Sequence, residues 1–223
     1  MIRTVFNMST TFATSIHFVE HPTFDARVAA SIRQLLVEVD NEFVPPLSCR
    51  SSTTTKDFVA VSDSDGPGEY VRQTLSQPCL VAFRDDALAG FMRLHLRHHN
   101  SDLNIGDLCT FVRTVVTSHR YRRQGVATQL YETLFKLAPE CASPFVATRT
   151  WNENTSHIAL LEKLGFQQVN RLQDDRGCGI DSLYFARPCA LPAGHSTPRS
   201  LETEAAKRLA EDCKLGRRLQ AAP

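Results

Sequence analysis

Neither sign of charge is in excess in this 223-residue chain: 25 lysines and arginines stand against 24 aspartates and glutamates, a formal net charge of +1. Bulk electrostatics therefore gives no reason to expect nucleic acid or another polyanion as a partner. The seven cysteines are odd in number and never spaced Cys-x-x-Cys. That argues against a disulfide framework and a structural zinc site, and it fits a reducing, cytoplasmic setting. No apolar run approaches the roughly 18 residues that suggest a membrane span, so no membrane partner is expected. Nothing repeats at a fixed period, which excludes a solenoid. Two phosphate-binding signatures are also missing, Gly-x-Gly-x-x-Gly and Gly-Lys-Ser/Thr.

Among what is present, the stretch from Val112 to Ala138 organises the rest. Val112-Arg-Thr-Val-Val-Thr117 is a β-branched run suited to a buried strand. It leads through the basic turn Ser118-His-Arg-Tyr-Arg122 into Arg123-Gln-Gly-Val-Ala127. Beyond it Val126, Leu130, Leu134, Leu137 and Ala138 recur at helical spacing, and Pro139 closes the segment. A glycine where a strand turns into a helix lets backbone approach a ligand with no side chain between them. Free N–H groups at the first helical turn, with the positive end of the dipole, suit a phosphate. Arg120, Arg122 and Arg123 bring positive charge to the same point, although a solvated basic turn is the plainer alternative. The stretch reads as a pyrophosphate cradle.

Either side of it, strands and helices alternate. Met1 to Thr14 is expected to be a flexible leader, with Met8 as an alternative start. Ser15 to Glu20 reads as a strand, and Asp25 caps a helix over Ala26 to Val39 whose stripe is Val28, Ile32, Leu35, Leu36 and Val39. The Ser/Thr/Asp-rich segment from Leu47 to Gly68 reads as a surface loop of low order, a candidate lid. A short helix over Glu69 to Gln77 precedes a hairpin, Cys79 to Phe83 and Ala87 to Leu96, turning at Arg84-Asp-Asp86. His95, His98 and His99 have no Cys or carboxylate at ligand spacing, so no metal is expected. A strand over Asp107 to Thr117 leads to the cradle. Pro144 to Trp151 is a further strand, followed by a helix burying Ile158, Leu160, Leu161 and Leu164 with Gly165 as its C-terminal cap. Gln167 to Leu172 and Ser182 to Arg187 make a closing hairpin. After Pro188 comes a linker and a charged helix, Arg199 to Arg218, able to dock on the domain or on a second subunit, which leaves a homodimer open.

Arg122-Arg-Gln-Gly125-Val-Ala127 resembles Arg/Gln-x-x-Gly-x-Gly/Ala, the signature of the GNAT superfamily of N-acetyltransferases. Asn154-Thr-Ser-His-Ile-Ala-Leu-Leu161-Glu-Lys-Leu-Gly-Phe166 resembles that family's second block, an Asn-opened helix ending in Glu-Lys-Leu-Gly-Phe. The resemblance divides the chain into a leader (1–14), a GNAT domain (15–187) and a linker with charged helix (188–223). It implies an α+β fold of the acyl-CoA N-acyltransferase type: a mixed, mostly antiparallel sheet of six to seven strands with helices on both faces. It also implies acetyl-CoA as co-substrate and a primary amine of a small molecule or protein as acceptor. Residue by residue, Val115, Val116 and Thr117 would meet the pantetheine arm, and the N–H near Val116 would polarise the thioester carbonyl. Arg122, Arg123, Gln124, Gly125, Val126, Ala127 and Thr128 would surround the pyrophosphate, and Asn154 would contact the cofactor from the second block. Glu38, Asp40, Glu42 and Phe43 would border the acceptor; the residues alone suggest only a solvated acidic helix end.

The chain departs from the family's pattern in two places. Where members commonly carry a tyrosine to protonate the leaving thiolate, this chain has Leu161, and where some carry a glutamate base it has Arg149. A thiol of pKa about 8.5 can be protonated by water near neutral pH, so the first departure need not abolish turnover. Asp107 is the candidate catalytic residue, relaying the proton from the amine, with a strand-opening turn residue as its alternative; His157 is the other titratable group nearby. Asp174, Asp175 and Asp181 crowd the last hairpin turn, where they would attract a cationic amine or be plainly solvated. Two further functions compete: a non-catalytic acetyl-CoA sensor, and nucleic-acid binding through His119-Arg-Tyr-Arg-Arg123, for which five residues on a neutral domain are too few.

Overall fold

The computed structural model of the protein describes residues 2–7, 14–19, 24–49, 67–105, 108–137 and 143–189. Their elements run β1 (Ile2–Asn7), β2 (Thr14–Val19), α1 (Ala26–Glu38), α2 (Gly68–Leu75), β3 (Cys79–Arg84) and β4 (Ala87–His98). Then come β5 (Cys109–Thr117), α3 (Val126–Leu137), β6 (Phe145–Trp151), α4 (Thr155–Lys163), β7 (Gln167–Leu172) and β8 (Ser182–Pro188). From β2 onward this is the expected α+β order. The eighth strand is β1, which pairs antiparallel with β2 inside the stretch read as a leader. The expected lid over 50–66 and the linker and charged helix after Cys189 lie outside the described residues.

The chain forms two compact units, one within 1–96 and 112–136, the other within 97–111 and 137–223. In the first, the strand order is β1-β2-β3-β4-β5, with antiparallel pairing from β1 through β4. Asp85 and Asp86 both adopt positive φ, +48° and +58°, the conformation that a two-residue hairpin needs to match the strand twist. Asp25 accepts from the Val28 N–H at 2.8 Å and opens α1 as expected. The core packs Ile32, Leu35 and Leu36 of α1 and Tyr70 and Val71 of α2 against Val81, Phe91 and Val116 of the strands. Each fully enclosed aliphatic side chain there contributes about 1.5 to 3 kcal/mol.

Gly90 decides how close β4 comes to its neighbours. A Cβ there would sit 2.6 Å from the Val116 carbonyl oxygen and 3.1 Å from Val126 Cγ1. So β4 shows its Gly90 side to the start of α3 and its Phe91 side to α1 and α2, putting helices on both faces.

In the second unit β8 lies between β6 and β7, antiparallel to both. Its core joins Leu103, Cys109, Phe111, Phe145, Ala147, Tyr184 and Ala186. Helix α4 ends as expected at Gly165, φ +80°. The Phe166 N–H donates to the Leu161 carbonyl and the Gly165 N–H to that of Glu162, both at 3.0 Å, which is the paired bonding of a Schellman cap. Among the described residues no helix is long and apolar enough to cross a membrane.

Candidate anion-binding turn between β5 and α3

Strand β5 ends at Thr117, and a 3₁₀ turn, His119–Tyr121, anchored by buried Tyr121, leads to Arg122. Arg123 then takes φ +57° and Gly125 φ +81°, and the Gln129 N–H bonds the Gly125 carbonyl at 2.9 Å to start α3. The N–H groups of Val126, Ala127 and Thr128 precede that bond and have no carbonyl within the helix to bind. Gly125 is exposed, and a Cβ on it would meet only Gln129 Nε2, at 3.7 Å. The space over the glycine is open to a ligand at the positive end of the helix dipole, in a turn whose sequence carries Arg120, Arg122 and Arg123.

The turn is held from two sides by residues that sequence reasoning did not assign to it. Arg84, read as part of a hairpin turn, is a buried end of β3. Its Nη1 and Nη2 donate to Gln124 Oε1 at 2.6 Å and Gln124 O at 2.8 Å, and its Nε to Thr14 Oγ1 at 2.7 Å. Gln124 Nε2 in turn donates to the Arg120 carbonyl at 2.9 Å. The Gln124 side chain and carbonyl thus both hold the loop. On the other side, Glu38 accepts from the His119 N–H at 2.6 Å and from Ser118 Oγ at 3.2 Å. Glu42 accepts from Arg122 Nη2 at 2.7 Å and from the His119 ring. Burial pushes the Glu42 carboxyl up, but the bonds from Arg122 and His119 outweigh it and hold the group below the usual carboxylate range. Asp40 accepts from Ser48 N and Oγ at 2.8 and 2.7 Å. Glu38 and Glu42 are thus exposed at the helix end, as a solvated acidic end would be, and are also bonded to the turn.

The structure gathers Val115 through Thr128 into one continuous strand, turn and helix start. Val116 is buried in the core, while Val115 and Thr117 are half-buried. The Arg122 guanidinium is engaged by Glu42, whereas Arg123 is exposed. Asn154 belongs to the other unit, where it caps α4 by accepting from the His157 N–H at 3.3 Å. Burial drives the His157 imidazole down to about 4. Leu161 is fully enclosed. Asp107 lies outside the described residues. In the last hairpin turn, Asp181 accepts from the Asp174 N–H and from Arg171, and the Asp174 bond leads in keeping its carboxyl low. Asp174 accepts from the Gly179 N–H and Asp175 from Ser182 Oγ, so all three acids hold the turn together.

A glycine-turned strand-to-helix junction, with the first N–H groups of the helix beside it, is set in an α+β fold. The model of the Acetyltransferase (GNAT) family matches residues 48–166, more than half of the chain. The chain belongs to that family. No curated protein sequence matches. Among solved structures the fold is similar to an aminoglycoside 6′-N-acetyltransferase complexed with coenzyme A, at 15% identity and TM-score 0.57 over 78% of this chain and 98% of that one. It is also similar to an Acinetobacter baylyi ADP1 protein described as an acetyltransferase, at 19% identity and TM-score 0.57 over 82% and 98%. Salmonella typhimurium yncA, solved with acetyl-CoA, gives 14% identity and TM-score 0.54 over 82% and 98%.

Proposed function

We propose that this protein is an N-acetyltransferase that moves the acetyl group of acetyl-CoA to a primary amine. The observation that carries the reading is the open Gly125 turn, braced by Arg84, Glu38 and Glu42, with the first N–H groups of α3 beside it. In this reading the backbone of Val115, Val116 and Thr117 pairs with the pantetheine arm. Residues Arg123 to Thr128 cradle the pyrophosphate through backbone N–H groups, and Arg122 joins them by exchanging Glu42 for phosphate. The Val116 N–H stabilises the oxyanion formed when the amine nitrogen attacks the thioester carbon. As the C–S bond breaks, the thiolate leaves to solvent for its proton, because Leu161 offers none. The amine's proton leaves to solvent as well, with Asp107 as the candidate relay; His157 at about 4 is too weak a base to compete near pH 7. The five described cysteines are free thiols, which supports a cytoplasmic location.

The second reading, an acetyl-CoA sensor without turnover, is favoured by one observation: the position of the usual acid is a fully enclosed leucine. Free-thiol release from acetyl-CoA across a panel of amines separates the two. Amine-dependent thiol supports the transferase; binding with no thiol from any amine supports the sensor.

A further inference from the structure

Arg93 lies on β4, fully enclosed, and among the described residues none of its three guanidinium nitrogens has a hydrogen-bond partner. Its guanidinium carbon stands 4.6 Å from the centre of the Tyr70 ring on α2, and the Tyr70 hydroxyl bonds Thr114 Oγ1 on β5. Cys79 faces it across the β3–β4 ladder, but burial pushes that thiol up to about 12, so it supplies no counter-charge. Two residues along β4, His95 Nδ1 accepts from Arg113 Nη2 at 3.1 Å. Burial first, and then Arg113 and Arg93, lower the pKa of that imidazole and keep it neutral. The surroundings are thus hydroxyls, a neutral imidazole and a second guanidinium. A buried cation without a partner is among the costliest things a fold can hold, and a ring face offsets only part of that cost.

An anion would supply the missing partner. Arg93 is three residues from Gly90, so it points to the opposite face of β4. Gly90 faces Val126 at the start of α3, where the phosphate turn lies; Arg93 faces Tyr70 on α2. The pyrophosphate at the turn and the anion at Arg93 are therefore separate. A planar guanidinium fork fits a carboxylate with two parallel hydrogen bonds. His95, two residues further along the same face, is partly exposed.

We propose that Arg93 binds a carboxylate of the acceptor, so that the substrate class is an amine that also bears a carboxylate, such as a free amino acid. The proposal rests on the acetyltransferase reading. Its test compares thiol release for amino acids and their decarboxylated amines, lysine with cadaverine and phenylalanine with phenethylamine, in the wild-type protein and in Arg93→Met. A second readout, independent of turnover, is the melting temperature with and without succinate. The expected result is kcat/KM at least about tenfold higher for the carboxylated member of a pair. In Arg93→Met that preference disappears through a raised KM, acetyl-CoA affinity is unchanged, and succinate no longer stabilises the protein. Arg93→Lys keeps the charge without the fork and should recover part of the preference, which also covers the case of a poorly folding Met variant. Equal rates within each wild-type pair, or a preference that survives Arg93→Met, overturns the proposal while leaving the transferase reading intact. Thiol release from no amine, with succinate stabilisation that still depends on Arg93, sinks the transferase reading and keeps the anion site.

Discussion

Gly90 and Leu161 are two positions, one in each unit, where a small or inert side chain has consequences. At Gly90 the obstacle to a larger residue is backbone, the Val116 carbonyl at 2.6 Å, which cannot swing aside as a flexible side chain could. Gly90→Ala should cost about 1 to 3 kcal/mol of stability in denaturant titration. Acetyl-CoA affinity should fall with it, since the end of β5 and Val126 are what the new methyl displaces. Leu161 is fully enclosed, and its carbonyl serves the cap of α4. Restoring a tyrosine there should therefore bury a hydroxyl and destabilise by about 1 to 3 kcal/mol, rather than create a positioned acid. Thermal melts and thiol release on Leu161→Tyr measure both. Raised turnover below pH 8 in a fully stable variant would show that the hydroxyl had found the leaving group.

In α4 the imidazole of His157 is held neutral by burial down to about 4, against an ordinary value of 6.5. In that window the unfolded chain takes up a proton that the folded one refuses. Stability from this group is thus complete above pH 6.5 and is lost as pH falls toward 4. The loss is on the order of 2 to 3 kcal/mol. Replacing His157 by Gln should flatten the pH dependence of chemical denaturation between 6.5 and 4, leaving the carboxylate-driven slope at lower pH. An equal slope in both proteins would mean that the imidazole titrates normally in the fold.

For the molecule as a whole, legibility in the sequence followed the range of the interactions. The stripe of α1, the Asp25 cap, the Gly165 stop and the Gly125 turn are set by neighbours within a few residues, and these stood where periodicity and turn chemistry put them; on α4 only Leu161 of the four expected residues is buried, with Ile158, Leu160 and Leu164 partly exposed. The braces of the turn are not local. Arg84 reaches forty residues along the chain to Gln124, and Glu38 reaches His119 from the far end of α1. Nothing in the spacing of an arginine before two aspartates, or of an acidic helix end, announces such partners. Strand β1 was missed although Ile2, Thr4, Val5 and Phe6 are strand formers, since a short run at the start of the chain shows its partner, β2, only in the fold. Arg93 stood in plain view as an alternating strand residue; only its complete enclosure makes it an anomaly.

The claim on which everything else stands is that acetyl-CoA lies over Gly125. Valine at this position would strain a backbone held at φ +81° as well as block the ligand, so asparagine, which tolerates that conformation, is the cleaner substitution. Calorimetric titration of acetyl-CoA into the wild-type protein and Gly125→Asn is the direct test. The account predicts measurable binding to the wild type and at least a tenfold loss in a folded Gly125→Asn variant, about 1.4 kcal/mol. Equal affinity in the two proteins would contradict it.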